Sequence, residues 1–258
     1  MFFRIKSYFS YLLKATNQHG VHSPFVYNIV TKCFYTKSSK ADIAFFEAYK
    51  NSLLHTSERI TVEDFGAGSR VFKSNDRSVS KIAKVASVSE KYGLLLMRLI
   101  SYFDAKNNLE IGTSLGVSTA CIAHKTSSGK TISLEGCKNT ASVAKDRFAR
   151  FGLKSTEFVV GEFGVTLDKV LSDKKFDFIY FDGNHSKNAT LLYFRKALNH
   201  KHNDSVFVFD DIHWSEEMTE AWEEIKNDAQ VSVSITTFQW GIVFFRKEQR
   251  KEHFTIRI

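Results

Sequence analysis

Glu110, Gly112 and Gly116 fall in the segment LEIGTSLGVSTACIA, Leu109 to Ala123, with the spacing of a ligand-binding turn. A short apolar run ends at Ile111, two glycines flank a turn, and a helix-forming stretch follows. Glycine at such points lets backbone approach a ligand where a Cβ would clash. Turns of this kind lie outside the carboxyl ends of parallel strands, where open α/β sheets bind ligands. Thr113, Ser114 and Ser118 share the segment and are assigned to the same ligand. The spacing is not G-x-G-x-x-G, which argues against a dinucleotide. Glu110 is suited to a cationic amino group. Glu135 ends the next apolar run, TISLEG, 25 residues later, and an acid there can accept both ribose hydroxyls. Taken alone, a glycine pair often serves only a turn, and a strand-end glutamate is often merely solvated. The two at this separation favour the ligand reading.

A second group of reactive side chains sits further along. FDFIYFDGNHSKN ends an apolar run at Asp182, with His185 three residues on, and SVFVFDD ends in Asp210 and Asp211, followed by His213. Three carboxylates at adjacent strand ends are suited to one hard divalent cation, Mg2+ or another, with water completing its shell. The competing reading is that they cap helices or bond loop amides. A histidine titrating near neutrality suits a general base, and His185 and His213 are both candidates. Either could instead only bond its own loop.

The elements that must position these residues alternate regularly. NLEIG, TISLEG, TEFVVG, FDFIYFD and SVFVFDD read as strands, each followed by a helical stretch. Five strands alternating with helices imply a parallel sheet with helices on both faces. VSVSITTF and GIVFFRK around Gln239–Trp240 read as a closing antiparallel hairpin. Residues 1–87 read as a mainly helical extension, and 88–258 as the ligand-binding domain.

E-x-G-x-x-x-G-x-S leading into a helix, then a strand ending in glutamate, resembles the class I S-adenosylmethionine-dependent methyltransferases. It is most similar to the catechol O-methyltransferase-like and the antibiotic and sugar O-methyltransferase groups. The resemblance covers roughly residues 88–247. It implies a Rossmann-like, seven-stranded sheet, parallel with a C-terminal antiparallel hairpin, and S-adenosylmethionine as cofactor. It also implies an adenine contact near Gly161, Glu162 and Phe163, places Asp182 beside the cofactor as well as in catalysis, and assigns a metal to Asp182, Asp210 and Asp211. Asp211 stands where the catechol enzymes have asparagine, and His185 where they have a catalytic lysine. The expected activity is methyl transfer to an oxygen of a small-molecule acceptor.

DFGAGSR, Asp64 to Arg70, imitates the acid-then-glycine signature, but no strand ending in an acid follows about twenty residues on. It reads as a joining loop whose Arg70, Lys73, Arg77 and Lys81 are placed to meet an anionic acceptor. The extension reads as a lid and acceptor wall, with His22, Phe25, Tyr27 and Arg70 as contacts.

Composition narrows the alternatives. The net charge of +8 and pI near 9.2 permit a nucleic-acid partner. With Pro24 the only proline, however, the Asn/Asp-Pro-Pro-aromatic motif of amino-directed base methyltransferases is impossible. A non-catalytic cofactor-binding scaffold is the alternative of another class. The odd, scattered Cys33, Cys121 and Cys137 make neither a disulfide framework nor a zinc site and fit a reducing cytoplasm. In residues 1–16, Phe2, Ile5, Phe9, Leu12 and Leu13 share one helical face. A helix packed on the domain is expected there, with peripheral membrane contact as the alternative. Self-association as a homodimer is compatible with all of this.

Overall fold

The computed structural model describes residues 2–63, 74–172 and 174–258. In chain order the elements are α1 (Phe2–Lys14), α2 (Pro24–Ile29), α3 (Lys40–Leu54), β1 (Arg59–Thr61), β2 (Asp76–Ser78), α4 (Val79–Val85), α5 (Glu90–Tyr102), β3 (Asn107–Ile111), α6 (Val117–Lys125), β4 (Lys130–Glu135), α7 (Lys138–Arg150), β5 (Thr156–Val160), α8 (Phe163–Leu171), β6 (Phe178–Phe181), α9 (Lys187–Ala197), β7 (Val206–Phe209), α10 (Glu216–Asn227), β8 (Val233–Thr236), β9 (Gly241–Phe244) and β10 (Glu252–Thr255). The DFGAGSR loop, with Arg70 and Lys73, lies outside the described residues.

Two compact units divide these elements. The central unit is Lys37–Val170, and the terminal unit joins Met1–Thr36 to Leu171–Ile258. The helical stretch before residue 87 is therefore shared: its first 36 residues associate with the C-terminal part of the chain.

In the central unit β3, β4 and β5 pair in parallel, with Glu110 opposite Ser133 and Glu135 opposite Val160. β3 and β4 are buried along nearly their whole length, the usual condition of a parallel sheet covered on both faces, and they carry buried polar residues, Asn108, Glu110, Thr131 and Ser133, among the apolar ones. Leu94, Leu95, Leu96, Leu99 and Ile100 of α5 are all buried. Buried Tyr49 and Phe148 pack edge-on, and Phe148 meets the half-buried Phe158 of β5 in the same way.

In the terminal unit the strand order is β10-β8-β9-β7-β6. β6 and β7 are parallel, β9 runs antiparallel between β7 and β8, and β10 lies parallel to β8. β6, β7 and β9 are buried along their whole length. Phe181 stacks on Phe209 with centroids 4.3 Å apart. Trp222 of α10 lies flat against β9 at Gly241, where a Cβ would come within 2.5 Å of the indole. α10 is capped by the Ser215 hydroxyl, with Glu216 and Glu217 in its first turn and Lys226 in its last, as the helix dipole favours.

β3–β5 of the central unit and β6–β10 of the terminal unit make eight strands, one more than the seven expected. The additional strand, β10, is short and polar, with no alternating apolar pattern to reveal it. Its partner is the N-terminal arm: Thr16 N–H donates to Thr255 O at 2.9 Å, Arg257 N–H to Thr16 O at 2.9 Å, and Tyr11 Oη–H to Ile256 O at 2.8 Å.

Candidate active site

In the central unit the candidate site lies at the carboxyl end of β3. Gly112 (φ 109°), Ser114 (φ 49°) and Gly116 (φ 78°) all take left-handed backbone, which glycine tolerates and serine adopts only under constraint. A Cβ on Gly116 would also meet the Tyr49 hydroxyl at 2.9 Å. The turn is held by Gly112 and Thr113 N–H groups donating to Leu134 O, each at 3.0 Å.

Glu110 is fully buried. Its Oε2 accepts hydrogen bonds from the Ser133 hydroxyl at 2.6 Å and from the Thr119 hydroxyl. Its Oε1 has no hydrogen-bond partner among the described residues. Burial raises its pKa to about 7; the Ser118, Ser133 and Thr119 hydroxyls act against the rise, and the Glu135 carboxylate adds to it. Thr119 and Ser133 were not anticipated from sequence. Ser133, opposite Glu110 across the β3–β4 pairing, carried no distinct signal in a strand that already holds Thr131 and Glu135.

Glu135 is half-buried, and its carboxylate ties two loops together. Oε2 accepts from Ser114 N–H at 2.7 Å and Oε1 from Cys137 N–H at 2.9 Å. Gly161 (φ 144°) donates its N–H to Glu135 O at 2.9 Å. The Glu162 carboxylate turns toward its own helix, accepting from Gly164 and Val165 N–H groups at 2.8 and 3.0 Å. It thus caps α8, and Gly161 is left to present backbone.

The terminal unit carries a second group of candidate side chains. Asn184 (φ 68°) and His185 (φ 46°) form a left-handed turn directly after β6, and Asp211 (φ 53°) another after β7. Non-glycine residues held this way cost about 1–3 kcal/mol each and cluster at functional sites. His185 Nε2 lies 3.6 Å from Asp182 Oδ1, with both side chains about a quarter exposed.

Asp210 and Asp211 converge on Gln239. Its Nε2–H2 donates to Asp210 Oδ1 at 2.8 Å and to Asp211 Oδ1 at 2.7 Å. The Tyr180 hydroxyl donates to Asp210 Oδ2 at 2.9 Å, and Asp211 N–H to Asp210 Oδ1 at 2.7 Å. Burial, then the Asp210 carboxylate, raises the Asp211 pKa; His185, Gln239 and Arg4 act against the rise. Asp182, Asp210 and Asp211, expected as metal ligands, are not brought together as a set. Among the described residues no three His, Cys, Asp or Glu side chains are grouped to hold a metal ion. Asp182 pairs with His185, while an amide nitrogen stands where Asp210 and Asp211 would both have met a cation. Gln239 lies in the hairpin turn, and its sequence context carried no hint of this role.

His213 is separated from His185 by its surroundings. Burial holds its pKa down to about 4. Its Nδ1 lies 3.0 Å from the Thr219 hydroxyl, which is within donating distance of the carbonyls of Ile212 and Ser215. With that hydroxyl donating to a carbonyl, the imidazole donates to it. The Phe238 ring lies 5.6 Å from the imidazole. Tyr8 of α1 packs edge-on against Phe238 at 4.9 Å, and the Arg4 guanidinium lies 5.2 Å from the Trp214 ring.

Phe25, expected at the acceptor, lies elsewhere. It packs on Phe244 at 5.1 Å under Arg246. Phe244 pairs with Val206 at the start of β7, the sheet edge opposite Asp210. His22 and Tyr27 are exposed. Arg4 and Tyr8 of α1, not the HGVHSPFVY turn, reach the Asp210 edge.

Residues 73–248 match the model of a family described as O-methyltransferase. The chain belongs to the O-methyltransferase family. It is an S-adenosylmethionine-dependent enzyme of that kind. Its fold is that of a Bacillus cereus O-methyltransferase solved in complex with SAH (20% identity, TM-score 0.55, covering 84% of this chain and 96% of that one). It is also that of TomG from Streptomyces achromogenes, involved in tomaymycin synthesis and solved with SAM (20%, 0.54, 90% and 99%). A third similar structure is the SAH-bound Podospora anserina methyltransferase PaMTH1 (12%, 0.61, 88% and 97%). No curated protein matches the chain.

Proposed function

We propose that this O-methyltransferase acts on a hydroxyl of a small molecule, with His185 as the proton acceptor and Asp182 as the group that orients it. The observation that carries this reading is the His185–Asp182 pair, set in a left-handed turn directly after β6. With Nε2–H directed at Asp182, the lone pair on Nδ1 is free for the acceptor's proton, and the carboxylate stabilises the imidazolium that forms. His213 is unsuited to the role, because a base with a pKa near 4 takes up little proton at neutral pH.

The turn after β3 suits the cofactor. Glu110 Oε1, buried and without a partner among the described residues, is matched to an ammonium group. The Glu135 carboxylate, at the carboxyl end of β4, is matched to ribose hydroxyls, and the backbone at Gly112, Thr113, Ser114, Gly116 and Ser118 leaves room for the methionine moiety. Gly161 offers backbone to the adenine, with Glu162 holding the helix behind it. S-adenosylmethionine supplies a methyl on a sulfonium: the acceptor oxygen forms the new bond, and the carbon–sulfur electron pair stays on sulfur. The chain's task is alignment and removal of one proton. No step is routed through a divalent cation, because Asp210 and Asp211 face the Gln239 amide.

The test is turnover of methyl-labelled cofactor against a panel of phenolic and aliphatic hydroxyl compounds. His185→Ala is expected to lose about 10²–10⁴ in kcat with the acceptor that responds. Asp182→Asn should lose less. Full turnover in His185→Ala, with loss in His213→Ala, would reverse the assignment.

A further inference from the structure

α1 is packed with its polar side inward. Tyr11 is its one buried residue. Tyr8 and Tyr11 meet Phe238, Arg4 lies over Trp214, and the Tyr11 hydroxyl bonds Ile256. The apolar stripe faces the other way. Phe2 is 89% exposed, Ile5 48%, Phe9 62% and Leu13 89%. Steps of three, four and four residues place these side chains on one line along the helix. A helix docked for burial would turn that line inward, and the sequence alone suggested this helix did so.

The charge around the stripe is of one sign. Residues 2–36 contain Arg4, Lys6, Lys14 and Lys32 and neither Asp nor Glu. Lys6 and Lys14 are exposed on α1 itself. We infer that α1 docks this stripe on the surface of an anionic lipid bilayer, lying in the interface with Phe2, Ile5, Phe9 and Leu13 inserted and Lys6 and Lys14 at the headgroups. Aromatic and aliphatic side chains on one side, basic residues at the border and no acid form the pattern of an interfacial helix. Each lysine adds attraction to anionic headgroups and none is offset by a neighbouring carboxylate on the helix. A second copy of the chain is the poorer occupant, since pairing the stripe with itself sets the lysines of both copies against their like. No helix among the described residues is long and apolar enough to cross a membrane, so the contact is peripheral. Resting on the reading given under Proposed function, the inference deepens it: the inner side of the same helix contacts Phe238 and Trp214 beside His213. The acceptor side is then adjacent to the lipid surface, and hydroxyl compounds that partition into lipid are the favoured acceptor class.

The test is co-sedimentation of the full chain with phosphatidylcholine vesicles, with and without phosphatidylglycerol. Binding is expected to the anionic vesicles and to fall as salt is raised. The double variant Phe9→Glu/Leu13→Glu, at exposed positions that leave the inner contacts intact, should weaken it on the order of a hundredfold, roughly tenfold for each inserted side chain. Calorimetry with S-adenosylhomocysteine on the same variant should match wild type. Absence of binding to anionic vesicles, equal binding to both vesicle types, or unchanged binding by the variant would overturn the inference. So would lipid-free self-association that the variant abolishes. Loss of cofactor binding in the wild type would instead overturn the proposed function and leave the docking result standing.

Discussion

Glu110→Gln should make the protein more stable at high pH and leave it nearly unchanged at low pH. The carboxyl is fully buried, and its pKa stands at about 7 against an ordinary 4.5. A carboxyl raised in this way favours the fold while protonated. Its contribution is complete below about pH 4.5 and is lost as the pH rises through about 7. Over the interval from about pH 5 to about pH 8 the loss amounts to about 2.5 kcal/mol. Glutamine has the same shape, keeps a carbonyl oxygen for the Ser133 and Thr119 hydroxyls, and does not titrate. The assay is urea denaturation of wild type and variant at several pH values, read as the difference between the two. The difference is essential because His213 runs the opposite way: its pKa is depressed to about 4, so its contribution is lost on acidification below about 6.5. That contribution is common to both proteins and cancels. A stability difference that stays flat between about pH 5 and about pH 8 would refute the burial argument.

Other substitutions address the remaining roles. Glu135→Ala removes the acceptor of the Ser114 and Cys137 amides as well as the ribose contacts, and should weaken S-adenosylmethionine about tenfold or more by calorimetry, at roughly 1.5–3 kcal/mol per charge-assisted bond. Gly112→Val sets a β-branched residue at φ 109°, and equilibrium dialysis should find no cofactor binding. Gln239→Glu sets a third carboxylate against Asp210 and Asp211. It should lower the midpoint of thermal unfolding near neutral pH, with partial recovery on adding Mg2+, and a midpoint that ignores Mg2+ would show that the pocket cannot accept a cation.

The positions of the candidate residues at strand ends were largely legible, because strands alternate regularly with helices along the chain. Glu110, Gly112 and Gly116 are at the carboxyl end of β3, and Glu135 at that of β4, as the alternation required. The closing hairpin was equally plain, since Val233–Thr236 and Gly241–Phe244 carry enough β-branched and aromatic residues to declare themselves. What escaped was decided by tertiary placement. Gln239 meets two aspartates because β9 runs antiparallel beside β7, and no local pattern encodes that meeting. The three carboxylates looked equivalent in sequence, yet Asp182 is turned to His185 and the other two to an amide. α1 was read correctly as amphipathic but with the wrong face inward, because hydrophobicity alone cannot foresee that two tyrosines and an arginine find aromatic partners on the Phe238 and Trp214 side.

The pairing of Thr16 with Thr255 and Arg257 has a consequence for synthesis. The terminal unit joins residues translated before the central unit to residues translated after it. Until β10 has been translated, the backbone groups around Thr16 lack their partners, and α1 lacks Phe238, Trp214 and Ile256. For most of the time the chain is being made, the helix carrying Phe2, Phe9 and Leu13 is therefore an unanchored amphipathic segment, open to chaperones or lipid before the enzyme exists. The order of events follows from the connectivity: the central unit, continuous from Lys37 to Val170, is translated before β10, and the terminal unit, which carries His185, closes only once β10 has been made.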